Sequence, residues 1–254
     1  MVRRNFKKNV FGDDYLNHAY KTKELLDNIN LSCNQAHAPL DFNLETDTID
    51  ISNENYANIV KSLEIASILG AKNIVVHSVK PIEGESVLET NYRFYKSLEP
   101  FCEKFGIHIA IENLFGKPYD EKTKKYLGNR FATPDAMKEI LSKLDSKWFV
   151  CCIDVGHATI TGIEPHEFIS SMDNNTLKAL HIQDNDYEYD RHMLPFVGKI
   201  NWDKTAESLK KINYDGEITF EIFKYLHGFD DEMMADVLKF AKTVGRYIIK
   251  KIEE

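Results

Sequence analysis

The sequence lacks the marks of a membrane or secreted protein and the charge balance of one that coats nucleic acid. No apolar run approaches the ~18–20 residues needed to cross a bilayer, so no membrane partner is expected. The N-terminus, MVRRNFKKNVFGDD, is basic but has none of the apolar core of a signal peptide. Only four cysteines occur, Cys33, Cys102, Cys151 and Cys152, and no two stand in a CxxC pair. They fall mostly in apolar runs, which suggests reduced thiols and a cytoplasmic location. Basic residues are in the minority: 32 Lys and Arg stand against 40 Asp and Glu, a formal charge of −8. A protein that neutralises several DNA phosphates needs a basic face, so nucleic acid is not the expected partner. Repeats, low-complexity stretches and linkers are also missing. What remains is 254 residues, 43% of them hydrophobic, enough for one large core. A single domain over residues 1–254 is the simplest organisation.

Short apolar runs alternate with longer segments of helical spacing. The strand candidates are Leu31–His37, Asn73–His77, Ile107–Glu112, Trp148–Asp154, Leu177–Ile182 and Glu217–Ile222. Between them, Asn53–Leu69 has helical periodicity and stops at Gly70, and Val87–Phe105 stops at Gly106, both natural C-caps. Thr133–Pro134 pairs a cap residue with a first-turn proline. Asp203–Ile212 and Asp231–Ile249 are the last two helices, and Tyr15–Asn28, after Asp13–Asp14, is the first. Strand and helix alternating at this pitch predict an α/β fold with a parallel sheet.

The strands end alike. Four finish in His37, His77, Glu112 and Asp154, and the other two carry His181 and Glu221 next to last. In an α/β barrel all C-terminal strand ends face one mouth, where active sites form. Strand side chains alternate faces with period two. Two residues before each polar end stand Gln35, Val75, Ala110, Cys152, Ala179 and Thr219, small to medium apart from Gln35. The opposite parity holds bulky residues such as Ile74, Val76, Ile109, Ile111, Phe149, Ile153, Leu180 and Phe220, suited to packing under helices. The polar ends therefore point into the barrel above small neighbours. His, Asp and Glu gathered at one mouth suit Mn²⁺, Co²⁺, Mg²⁺ or Zn²⁺, and the strongest ligand candidates are Glu112, Asp154, His181 and Glu221.

Five motifs then follow in order: IAIEN (Ile109–Asn113), CIDVGH (Cys152–His157), LHIQDN (Leu180–Asn185), DRHMLPFVGKINW (Asp190–Trp202) and ITFEI (Ile218–Ile222). From about residue 20 to the C-terminus the chain resembles the xylose isomerase-like barrel superfamily. That superfamily includes the sugar phosphate isomerases and epimerases and their relative endonuclease IV. The resemblance implies a TIM-type (β/α)8 barrel. It implies one divalent metal on Glu112, Asp154, His181 and Glu221, with Glu112 and Glu221 also moving protons on opposite faces of a small sugar or polyol. His157 matches a residue that touches substrate oxygen. Against endonuclease IV, His37 and His77 match additional first-site ligands, and His157, Asp190 and His192 match third-site ligands. The Asp-x-His followed by LPxxG and Trp also resembles isomerase-like members, in which that pair faces substrate or a second ion.

The expected chemistry is proton transfer through an enediolate, giving isomerisation or epimerisation, with dehydration a close variant. The alternatives are an endonuclease IV-like phosphodiesterase acting on abasic DNA, and a barrel that binds sugar or metal without turnover. Loops 38–48 and 78–85 hold one Lys (Lys80), no Arg, and Phe42 as their sole aromatic wedge, which disfavours a DNA grip. Rare-ketose epimerases often place Arg six residues after the His181 position, where this chain has Tyr187. His18, His108, His166 and His227 read as helix, opposite-register or loop residues, Cys151–Cys152 as core packing, and Lys122, Lys124 and Lys125 as a solvated run, with a cover over the mouth as the alternative for that loop. Six strands are recognisable, whereas a closed barrel has eight. The family pattern places a strand, a helix and a strand earlier. The expectation is a barrel short at its N-terminus, with exposed edges on the His37 and Glu221 strands that invite pairing into a homo-oligomer.

Overall fold

The computed structural model describes residues 10–39, 49 and 52–254. The basic residues 1–9 and most of loop 38–48, Phe42 included, lie outside the described residues. Helix α1 (Tyr15–Asn28) leads into β1 (Gln35–His37). Then come α2 (Glu54–Leu69), β2 (Asn73–Val76), α3 (Val87–Phe105) and β3 (His108–Glu112). A hairpin of β4 (Leu114–Asp120) and β5 (Lys125–Arg130) follows, then α4 (Pro134–Lys143) and β6 (Phe149–Asp154). The chain continues through α5 (Val155–Thr161), α6 (Pro165–Ser170), β7 (Leu177–Ile182), α7 (Trp202–Lys211), β8 (Glu217–Phe220), α8 (Phe223–Leu226) and α9 (Met234–Glu253).

Local chemistry sets the helix ends. Asn53 caps α2 by accepting from the amides of Asn55 and Tyr56, and Gly70 closes it at φ 92°. Ser86 and Glu89 form a reciprocal capping box on α3. Thr133 caps α4 ahead of Pro134. Each cap is worth ~1 kcal/mol, so together they fix where strands begin.

Six strands form one parallel sheet in the order β1-β2-β3-β6-β7-β8. Register is tight where it matters: Glu112 lies beside Cys152, and Asp154 beside His181. Val75, Ala110, Val150, Cys152 and Ala179 form a buried cluster of their own on the inner face. Ile74, Val76, Ile109, Ile111, Phe149, Ile153 and Leu180 belong to the larger cluster under the helices. This is the two-sided pattern that alternation predicts. The sheet curls until it is nearly closed. Asn73 Nδ2 donates across to the Lys178 carbonyl of β7 (3.2 Å), and Asn34, just before β1, donates to Glu217 of β8 (3.3 Å). Among the described residues β1 and β8 are the sheet's two end strands.

Two expectations change. The first strand is only Gln35–His37: the Leu31 amide is held back by the Leu26 carbonyl of α1, and residues 31–34 run as irregular chain into the sheet. The lysines also belong to a hairpin, β4–β5: Lys122 and Lys124 are solvated in its turn, as expected, while Lys125 opens β5. Asp120 makes its turn by accepting from the Lys122 amide (2.9 Å) and Thr123 Oγ1 (2.9 Å), and Lys124 takes φ 55°. Phe115, Tyr119 and Tyr126 pack in a row along it.

The long connection after β7 is organised by buried Asp184. It accepts from the amides of Asn185 (2.9 Å), Phe196 (2.9 Å) and Ile200 (3.1 Å) and from Trp202 Nε1 (2.9 Å). A Cβ on Gly198 would meet Asp184 Oδ1 and the Asn185 carbonyl at 2.3 Å, so only glycine fits there. Asp184→Ala strands these donors, at ~1–3 kcal/mol for a buried unpaired group. Urea unfolding followed by Trp fluorescence should show a loss on the order of 3 kcal/mol. Unchanged stability would reject Asp184 as the organiser of this loop.

Candidate functional site

The polar strand ends meet at the C-terminal face. Glu112 ends β3, Asp154 ends β6, His181 lies in β7 and Glu221 follows β8. One ligand atom from each of these four lies within 4.8 Å of the others. Glu112, Asp154 and His181 are buried. Asp154 also caps α5 by accepting from the His157 amide (2.7 Å). Asn113 holds Asp154 by its backbone, accepting from its amide (2.7 Å) and donating to its carbonyl (3.0 Å). The Asn113 carbonyl takes a bond from His157 Nδ1 (3.1 Å), so IAIEN and DVGH are locked as a unit.

Several atoms of these groups lack a hydrogen bond, even where a histidine is near: His157 Nδ1 lies 3.1 Å from Glu112 Oε1. Glu112 Oε1, His181 Nδ1 and Glu221 Oε2 are buried and make no hydrogen bond, though His181 Nδ1 stands 3.3 Å from Glu112 and 3.4 Å from Glu221. A buried polar atom left unpaired costs ~1–3 kcal/mol. Three such atoms converging from two carboxylates and an imidazole are what a divalent cation satisfies at a stroke, and the oxygen and nitrogen donor set fits Mn²⁺, Co²⁺, Mg²⁺ or Zn²⁺. The residues present therefore fit the group that the sequence pattern implies.

The electrostatics separate the two glutamates. Burial raises the Glu112 carboxyl, but His181, His77 and His157 beside it outweigh that and hold it well below the usual carboxylate range. Burial, with Asp154 and Glu112 as neighbours, pushes Glu221 up to about 10. Burial lowers His157, yet Asp154, Glu112 and Asp190 lift it to about 10.

The remaining candidates converge on the same point. His37 and His77 form a second ligand group with Glu112, with His77 Nε2 at 3.0 Å and His37 Nε2 at 3.6 Å from its Oε2. His157, Asp190 and His192 form a third. His192 takes φ 47°, a left-handed conformation that costs ~1–2 kcal/mol outside glycine. It is held there because its amide bonds Gln183 Oε1 (2.9 Å) and its ring bonds the Glu221 carbonyl (2.9 Å). All nine residues singled out from the sequence thus reach one mouth. Tyr187 does not, because its hydroxyl donates to Glu164 (3.1 Å).

Gln183 was not singled out, although its place two residues after His181 puts it in the same alternation. Buried Gln183 donates to Asp154 (3.0 Å) and to Asp190 (3.0 Å), tying the first and third groups together. Lys224 was missed too, since nothing local in FEIFK marks it. It reaches Asp190 by its ammonium. Phe115 sets its ring 5.0 Å from His157 and brings the hairpin over the site. A cavity of about 400 Å³ opens between the end strands, lined by Gln35–Pro39, His181, Thr219, Glu221 and Phe223.

Residues 3–244 match the family described as the xylose isomerase-like TIM barrel. The chain belongs to that family. An uncharacterized protein of Methanocaldococcus jannaschii is 31% identical over 137 residues, 53% of this chain and 43% of that one. The chain spans between 43% and 66% of the length of the curated relatives it matches. Among solved structures, a D-tagatose 3-epimerase-like protein is 25% identical with a TM-score of 0.73, covering 93% of this chain and 84% of that one. IolI protein with a binding zinc atom is 18% identical with a TM-score of 0.71, covering 94% and 84%. At that identity IolI speaks for the fold alone. A xylose isomerase-like barrel of this kind accounts for the polar strand ends at one mouth.

The raised Glu221 carboxyl has a measurable consequence. Below about 10 it keeps a proton that a cation must displace. Metal affinity should rise with pH through neutrality, and loading near pH 7 should release about one proton per ion. Calorimetry in buffers of different ionisation enthalpy reads this number. Affinity flat in pH with no proton released would contradict the assignment of Glu221 as a ligand.

Proposed function

We propose that this protein is a divalent-metal-dependent isomerase or epimerase acting on a small sugar, sugar phosphate or polyol. The observation that carries the reading is the pair Glu112 and Glu221. They stand at the ends of different strands and join one ligand group with Asp154 and His181. A divalent ion held by these four would stabilise negative charge building on a substrate carbonyl oxygen. The chain's own residues do the rest. One glutamate takes the proton from the carbon beside the carbonyl, and the other returns it. Return to the opposite face of the same carbon is epimerisation, and return at the neighbouring carbon is isomerisation. Glu221 borders the cavity beside β1, so a small substrate there lies within its reach. His157 keeps Nε2 for a substrate hydroxyl while its Nδ1 bonds the Asn113 carbonyl, and Gln183 orients Asp154 and Asp190 by donating to both. The four cysteines are free, in keeping with a cytoplasmic enzyme.

A phosphodiesterase acting on abasic DNA is the second reading. It is favoured by one observation, the three adjoining ligand groups that share Glu112 or adjoin it. The charge of −8 weighs against it, since such an enzyme draws most of its non-specific affinity from Lys and Arg.

The deciding experiment incubates the metal-loaded protein in deuterated water with ketoses, their phosphates and keto-inositols. Deuterium should enter a carbon next to a carbonyl. Glu221→Gln should slow this by ~10²–10⁴, the usual worth of a general acid–base group, and Glu112→Gln should abolish it. A duplex with an abasic site should stay intact. No exchange with any substrate, together with efficient nicking of that duplex, would overturn the isomerase reading.

A further inference from the structure

Three groups of side chains at the mouth have the composition of a cation site, but they are not alike. The first two contain buried atoms with no hydrogen bond: Glu112 Oε1, His181 Nδ1 and Glu221 Oε2 in one, His37 Nε2 in the other. In the third, formed by His157, Asp190 and His192, no ligand atom is of that kind among the described residues. Its central carboxylate is already engaged on both oxygens. Asp190 Oδ1 accepts from Gln183 Nε2 (3.0 Å). Asp190 Oδ2 faces His192 Nε2 at 2.6 Å and the Lys224 ammonium at 3.3 Å. Lys224 also donates to the Asp190 backbone carbonyl, which anchors the ammonium at this carboxylate. The other nitrogen of His192 is bonded to the Glu221 carbonyl (2.9 Å).

Lys224 owes its place to the fold. It sits one residue into α8, next to Phe223, directly beyond the β8 end that carries Glu221. The negative charge on Asp190 is thereby faced by the Lys224 ammonium at 3.3 Å as well as by the rings of His192 and His157. A divalent ion at His157, Asp190 and His192 would have to displace that ammonium or bear its repulsion at close range. The ammonium is held at two points, the Asp190 carbonyl and its carboxylate, and an entering ion would have to displace it from both.

We propose that Lys224 is the resident cation of the third group, so that His157, Asp190 and His192 take no metal ion and remain an internally hydrogen-bonded wall of the mouth. This rests on the reading that the four-residue group of Glu112, Asp154, His181 and Glu221 is a metal site. It sets the limit on ion number from a residue outside every ligand group, and it separates this chain from an enzyme that needs all three groups loaded.

The test is equilibrium dialysis of the full chain against free zinc, with bound zinc per chain counted by elemental analysis. Wild type is compared with Lys224→Met, Lys224→Arg, Asp190→Asn and the Lys224→Met/Asp190→Asn double variant. Lys224 is half-exposed, and melting in chelator checks that each variant is folded. Lys224→Met should bind one more zinc per chain than wild type. Lys224→Arg should bind the wild-type number because the charge is kept, and the double variant should fall back to it. Asp190→Asn alone should leave the zinc count at the wild-type number. Loss of one zinc on Asp190→Asn would overturn the proposal, because the third group would then be loaded despite Lys224. No gain in Lys224→Met would overturn it as well. Glu221→Gln is counted in parallel: if it costs no zinc, the four-residue site fails, whatever the Lys224 variants show.

Discussion

Everything at the mouth of this barrel turns on a buried negative charge. Glu112 is almost completely enclosed at the end of β3, yet it is surrounded by imidazoles that keep it ionised. Burying a carboxylate is costly unless it is paired. Here the pairing is shared among His37, His77, His157 and His181, each within 3.6 Å of one of its oxygens. Those imidazoles cannot satisfy every lone pair at once, which leaves Glu112 Oε1 and two facing ligand atoms unbonded. A cation resolves that frustration. The arrangement therefore reads as a site prepared for one rather than as a self-sufficient network.

The fold makes this affordable in geometry. A parallel sheet brings its C-terminal ends to one face, and period-two alternation sends every second side chain inward. Below the polar ends lie Val75, Ala110, Val150, Cys152 and Ala179, whose small or compact side chains fill the interior without crowding the site. Asn113 and Gln183 then do by hydrogen bonding what packing cannot. They fix Asp154 and Asp190 at set orientations and leave the unbonded atoms aimed at a common point.

How much of this was legible in the sequence follows from the range of each signal. Strand ends and inward parity depend on residues one or two apart, and so His37, His77, Glu112, Asp154, His181 and Glu221 are legible in the sequence itself. The turn of hairpin β4–β5 is legible as a solvated lysine run, but its two strands are not, because polar residues dominate the composition there. Its order comes from the Asp120 turn and from Phe115, Tyr119 and Tyr126 meeting across the strands. The short β1 was overextended because helix capping by the Leu31 amide outcompetes the apolar pattern there. Lys224 was invisible for a different reason. Its partner Asp190 is 34 residues away, on a loop whose path is set by Asp184. No spacing rule reaches that far.

The central claim is that Glu112, Asp154, His181 and Glu221 hold one divalent ion. It is tested most directly by anomalous scattering at the zinc absorption edge, from crystals grown with Zn²⁺. The account predicts a peak at the point these four side chains share, about 2.0–2.2 Å from their oxygen and nitrogen atoms. Zinc found only elsewhere on the protein, with no peak among these four residues, would contradict it.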